Sequence, residues 1–212
     1  MKKSKVSVLK YIKNGQLTTI YKPTKDEIKE AVLSIPPGAL FITAGPMFIA
    51  KLIGWWGLIK VGFRAIIKYG IKIPVSHAGI YFGNGKNATI ESTGVGVIEG
   101  NFMDYLYDDH KLAVWYNKNL TIDNLQNSMQ WAYSQLGKRY DVKAFLAFIL
   151  KDLGEDKDAY ICSELATEIV RKQNVPFVWG EASKIHPVDI VEYIKSDGTK
   201  DGWVLCLSWN WE

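Results

Sequence analysis

The sequence predicts an α+β domain, a small antiparallel sheet packed against helices, and three observations carry that class. Short runs rich in β-formers, separated by Gly and Asn, recur between residues 38 and 117. Stretches with helical periodicity follow between 121 and 173. No internal repeat, low-complexity tract or Pro/Gly/Ser linker divides the 212 residues. With 48% hydrophobic and 23% charged residues, the chain has the balance of a globular protein able to bury a core, which excludes a disordered class.

The elements follow in order. Residues 1–37 read as a basic N-terminal lead-in and 38–212 as the single domain. "GALFITAG" (38–45) is a compact apolar run and predicts a buried strand. "VSHAGIYFGNGKNATIEST" (75–93) predicts two strands joined by a Gly/Asn turn. "GVGVIEG" and "KLAVWYN" add two more. "TIDNLQNSMQWAYSQLG" (121–137) predicts a helix capped early by Asp123 and stopped at Gly137. "VKAFLAFIL" and "SELATEIVRKQ" predict two further helices, and "GWVLCLSWN" a closing strand.

Charge is modest at +4 but uneven, with eight lysines in residues 1–30 against Asp26, Glu27 and Glu30. The ordinary reading is a solvated basic arm, and an anionic surface is the sharper one. No aromatic-interleaved basic motif or zinc-finger spacing points to nucleic acid, so none is expected. Two cysteines, Cys162 and Cys206, form neither a disulfide framework nor a CxxC metal site. The opening residues lack the apolar core of a secretory signal, and reduced thiols fit a cytoplasmic protein or one delivered in a virus particle or by lysis.

Residues 39–67 are almost uncharged up to Ile59, but Pro46, Lys51, Gly54 and Gly57 interrupt any simple membrane span. Lys60, Arg64 and Lys68 recur every four residues, so a helix there carries one basic stripe. That pattern suits an ordinary core helix with a solvated face, or an interfacial helix docking on a membrane surface through 46–68.

A cysteine hydrolase needs a thiolate, a histidine and a polar group that orients the histidine. Of three histidines, His110 lies in a polar stretch and His186 precedes Pro187 in a turn, whereas His77 lies within an apolar strand. A three-residue "GNG" loop (83–85) sets Phe82 against Lys86 and His77 directly against Glu91, with Cβ atoms ~5 Å apart. A two-residue "NG" loop instead pairs His77 with Ser92 and turns Glu91 to the other face. Cys162 falls at a strand-like entry into a helix, where unpaired N–H groups and the helix dipole favour a thiolate and can hold an oxyanion. Cys206, in "WVLCLSW", reads as core.

The segments "SHAGIYFGNG", "TIESTGVGVIEG", "LGKRYDVKAF", "YICSELATEIV" and "HPVDIVEYI", in that order, resemble the permuted papain-like cysteine hydrolases of the NlpC type, a group related to the lecithin–retinol acyltransferase branch. The histidine strand precedes the cysteine helix, which is the permuted order. The resemblance runs from about Gly38 to Tyr193. It implies a papain-like fold, with Cys162 as nucleophile, His77 as base and Glu91 as the residue that orients the histidine. Tyr140 of "GKRYD" becomes an oxyanion or substrate contact, with Tyr160 as a second candidate. The departure from the family is a long, aromatic-rich insert, residues 46–74.

The expected activity is therefore hydrolysis of an amide or ester through an acyl-enzyme on Cys162, with no cofactor or metal. The substrate is a cell-wall peptide or an acyl-lipid, and Trp55, Trp56, Phe48 and Phe63 in the insert tilt toward an apolar acyl group. Two rivals stand beside it: a non-catalytic binding or structural module of the same fold in a larger assembly, and a membrane-associated protein acting through residues 39–67.

Overall fold

The computed structural model describes residues 7–45, 75–83, 85–106, 110–142 and 158–211. The insert 46–74, with its basic stripe and expected membrane face, and the helix expected at 142–150 beyond Val142 lie outside them.

Ten strands are described: β1 (Val8–Lys13), β2 (Gln16–Tyr21), β3 (Ala39–Ala44), β4 (His77–Gly83), β5 (Ala88–Thr93), β6 (Gly96–Asn101), β7 (Lys111–Asn117), β8 (Arg139–Tyr140), β9 (Ala159–Tyr160) and β10 (Trp203–Trp209). Four α-helices accompany them: α1 (Lys25–Leu33), α2 (Ile122–Ser134), α3 (Cys162–Lys172) and α4 (Pro187–Tyr193). Eight strands form one sheet in the order β2-β1-β10-β7-β3-β4-β5-β6, antiparallel at every pairing, and β8 and β9 make a short parallel pair. This is the α+β class that the alternating short strands and later helices predict.

The sheet has a covered face on each side, and strand alternation sorts the side chains between them. Leu40, Ile42, Ala78, Ile80 and Phe82 pack with Leu165, Ile169 and Val170 of α3 and Val188, Ile190 and Val191 of α4. Ala39, Phe41, Tyr81, Leu112 and Val114 pack on the other side with Ala31 and Val32 of α1 and with Phe102. Burial on both faces explains why β3 reads as an unbroken apolar run rather than an alternating one. Each large aliphatic side chain that α3 buries contributes about 1.5–3 kcal/mol of transfer free energy, which holds that helix against β4.

The basic opening stretch is not a solvated arm from Val8 onward. Leu9 and Tyr11 are buried, and β1 pairs with β10, so residues 8–21 extend the main sheet. The turn at Asn14 and Gly15 has positive φ at both residues, 51° and 78°, which is the backbone a tight two-residue hairpin requires. Thr24 then caps α1: its Oγ1 accepts from the Glu27 N–H at 3.3 Å, and Glu27 accepts from the Thr24 N–H at 2.7 Å.

Candidate active site

The site is assembled where β4 begins. The β4–β5 ladder pairs Ile80 with Ile90 and Tyr81 with Thr89. Continuing that register sets Glu91 against Gly79, not against His77, so the expected direct pairing is corrected to a diagonal one. The side chains still share a face, because His77 and Gly79 are two residues apart. A bulge decides this. Nearer the turn, Gly83 pairs with Ala88, and the register shifts between Tyr81 and Gly83. Without that extra residue every β5 side chain beyond it would face the other side of the sheet, and Glu91 would lie away from the imidazole.

On the shared face His77 Nε2 and Glu91 Oε2 are 2.6 Å apart. Glu91 is only 3% exposed. Its carboxylate accepts two further bonds, from Thr89 Oγ1 to Oε1 at 2.8 Å and from the Tyr105 hydroxyl to Oε2. Two glycines open the space it occupies. A Cβ on Gly100 would lie 2.3 Å from Glu91 Oε1, and one on Gly79 would lie 3.1 Å from Glu91 Cβ and 2.5 Å from the Phe41 ring. Burial pushes the Glu91 carboxyl upward, but the bonds and charge of His77, then Tyr105 and Thr89, hold it below its ordinary value.

Cys162 is the first residue of α3, following Ile161 at the cap position. The helix is fixed at this end by its apolar face and by the Ser163 hydroxyl, which donates to the Ile185 carbonyl at 2.5 Å. The thiol is buried with the Ser76 carbonyl 4.0 Å from its sulfur, and the His77 ring and the backbone N–H groups of Ala78 and Ser163 are the neighbours that favour its ionised form. Since Nε2 serves Glu91, Nδ1 is the nitrogen left for the sulfur. Burial raises the thiol, yet His77 and the two N–H groups overcome it and the net direction is down. For His77 burial favours the neutral ring, and Cys162 and Glu91 outweigh it, raising the group to about 10. Both directions favour the charged forms of the pair, the thiolate and the imidazolium.

The two tyrosine candidates separate. The Tyr160 hydroxyl donates to Gln135 Oε1 at 3.1 Å, and its ring lies under Lys138 Nζ at 5.2 Å. Tyr140 instead feels the charge of Cys162. Burial, that charge and Asp141 all raise its phenol, so it stays protonated and able to donate. The β8–β9 pair sets Tyr140 beside Tyr160, and the Ser92 hydroxyl ties β9 to β5 by donating to the Tyr160 carbonyl at 2.6 Å.

The remaining histidines and the second thiol lie outside the Cys162–His77–Glu91 cluster. His186 caps α4, its Nδ1 accepting from the Val188 N–H at 3.2 Å. The His110 carbonyl accepts from Asn210 Nδ2 at 3.5 Å. Cys206 is buried in β10, donates to the Val114 carbonyl at 3.4 Å, and is pushed up to about 12 by burial. Tyr105, Thr89, Gly79 and Gly100 escape sequence reasoning. They belong to a strand, a short 3-10 turn and two close approaches that no spacing in the chain connects.

Among the described residues no helix is long and apolar enough to cross a membrane, and no three His, Cys, Asp or Glu side chains group to hold a metal. No curated protein matches the chain. The pattern of one family does, over residues 63–193, more than half the chain and the whole span from the insert's end through the histidine strand to α4. The chain belongs to the family of permuted papain-like amidases described as YaeF/YiiX, C92, which accounts for its histidine-before-cysteine order.

Proposed function

We propose that the protein is a cysteine amidase in which Cys162, His77 and Glu91 act as a triad and Tyr140 as an oxyanion donor. The observation that carries this reading is the buried thiol at the start of α3, beside an imidazole whose Nε2 lies 2.6 Å from a carboxylate. The Cys162 thiolate attacks the carbonyl carbon, and the carbonyl oxygen gains the negative charge. The helix N-terminus and the Tyr140 hydroxyl are the donors for that charge. When the tetrahedral intermediate collapses, the His77 imidazolium gives its proton to the leaving nitrogen and a thioester forms on Cys162. Neutral His77 then takes a proton from water as it attacks the thioester. The acid product departs, and thiolate and imidazolium are restored. Glu91 keeps the ring oriented and stabilises its cation throughout.

The amidase description of the family favours an amide over an ester as the bond cut. Resemblance to NlpC-type enzymes supports a cell-wall peptide as its carrier, and the lecithin–retinol acyltransferase branch supports an acyl-lipid. Trp55, Trp56, Phe48 and Phe63 favour the second, with residues 46–68 docking on the membrane surface. Vesicle flotation of the wild type against a Lys60/Arg64/Lys68→Glu variant tests that docking.

The triad is tested by iodoacetamide labelling across pH, read residue by residue by mass spectrometry. Cys162 is expected to react well below pH ~8.5, the ordinary thiol value. Equal rates at Cys162 and Cys206 in the native protein sink the reading.

A further inference from the structure

Tyr105 is not part of any expected triad, yet it touches both His77 and Glu91. Asn101 ends β6 and caps a 3-10 turn, Phe102–Tyr105, by accepting from the Met103 N–H at 3.0 Å. Side chains three apart eclipse one another in such a turn. Phe102 and Tyr105 therefore descend together onto Phe41, with ring centroids 5.7 and 5.1 Å from it. Phe102 is fully buried and anchors the turn, so Tyr105 has little freedom. Its ring stacks on the imidazole at 6.0 Å and 20° between planes, while Phe41 tilts against the same imidazole at 6.1 Å. Its hydroxyl donates to Glu91 Oε2, the oxygen that also meets His77 Nε2. Thr89 holds the other oxygen.

We propose that Tyr105, with Thr89 on the second oxygen, is a positioning residue that keeps Glu91 an anion aimed at the imidazole, in a site almost closed to water. This rests on the triad reading above and adds the group that makes a nearly buried carboxylate usable. A carboxylate this buried, facing a thiolate-bearing site, tends to take up a proton and lose its hold on the ring. Two hydroxyls aimed at its oxygens favour the ionised form, and the carboxylate cannot swing away while both are bonded. The charged and titratable groups around it are His77 on β4 and Cys162 on α3. Asp104 shares the turn with Tyr105, and the His110 ring meets the Tyr105 ring edge-on at 6.1 Å.

The test combines two readouts on the full chain. In 13C-Glu-labelled protein, Tyr105→Phe and Thr89→Val should each move the Glu91 carboxyl titration upward by about one pH unit, the effect of losing one hydrogen bond to a charged group. In the second readout, with p-nitrophenyl acetate as acyl donor, Tyr105→Phe should slow the Cys162-dependent acylation burst about tenfold. Added to Glu91→Gln, Tyr105→Phe should cause no further slowing. An unchanged Glu91 titration, or equal slowing with and without the carboxylate, overturns the proposal. If Tyr105→Phe does not fold, an unshifted titration in Thr89→Val overturns it equally. A wild type whose acylation survives Cys162→Ala removes the triad reading itself. A Cys162-dependent burst unaffected by Tyr105→Phe removes only the role of Tyr105.

Discussion

Cys162 and Cys206 are both buried, free thiols of one chain, and their surroundings push them in opposite directions. Cys206 sits inside β10 and donates to a backbone carbonyl, and burial pushes it up to about 12 against the pull of the Cys206 and Leu207 N–H groups. Cys162 is slightly more exposed, 8% against 3%, and it is pulled down, because the His77 imidazole, with two backbone N–H groups in support, outweighs its burial. Burial raises both thiols and backbone N–H groups lower both, so neither separates them. What differs is the ionisable partner: the His77 imidazole acts on Cys162, whereas the groups that act on Cys206 are backbone.

The largest break in that comparison is expected from His77→Ala. Cys162 then keeps its burial and loses its main compensating charge, so its alkylation at pH 7 should fall roughly a hundredfold, toward Cys206. Persistence of fast labelling would show that the helix start suffices. Next in size is the reciprocal effect on the imidazole. Followed by NMR, the His77 ring should hold its proton to about pH 10 in the wild type, and titrate at lower pH in Cys162→Ala and in Glu91→Gln, since both partners raise it. The sign for folding follows. The stability that the imidazolium carries is present in full below 6.5 and is lost as pH rises through about 10.

A smaller effect is expected from Gly100→Ala. Its new Cβ would meet Glu91 Oε1 at 2.3 Å and Thr89 Oγ1 at 2.7 Å, so the carboxylate must leave its slot. Denaturation should show a loss of about 1–3 kcal/mol from overpacking, and Cys162 labelling at pH 7 should slow while Cys206 is untouched. Smallest is Cys206→Ala. Losing one buried sulfur should lower stability by about 1 kcal/mol with the pH profile of Cys162 labelling unchanged. A changed profile would mean that the two thiols are coupled through the sheet.

Much of the placement of the candidate site was legible in the chain. Cys162 ahead of a helical run, His77 in an apolar strand, and their order along the sequence carry over directly to the start of α3 and the start of β4. Glu91 was legible for a subtler reason. A three-residue loop predicts the wrong partner, but the true pairing differs by two residues, and a shift of two conserves the face. Other signals were present and outweighed. Asn14-Gly15 is a hairpin signature, and Thr24 with Glu27 is a capping box, but both sit among lysines that suggested a solvated arm. Nothing in the chain separates Tyr140 from Tyr160, which lie side by side in the β8–β9 pair and differ in the partners that packing gives them.

By itself, then, the sequence determined the α+β class, the strand and helix that bear the histidine and cysteine, and the permuted order that defines the family. Those depend on periodicity and on residue order, which are local. The bulge that turns Glu91 toward His77, the two glycines that make room for it, and the Tyr105 hydroxyl that holds it were decided by tertiary structure alone. Each depends on distances between segments brought together by packing, and a carboxylate can stay charged when buried only if those segments arrive with their donors already aimed.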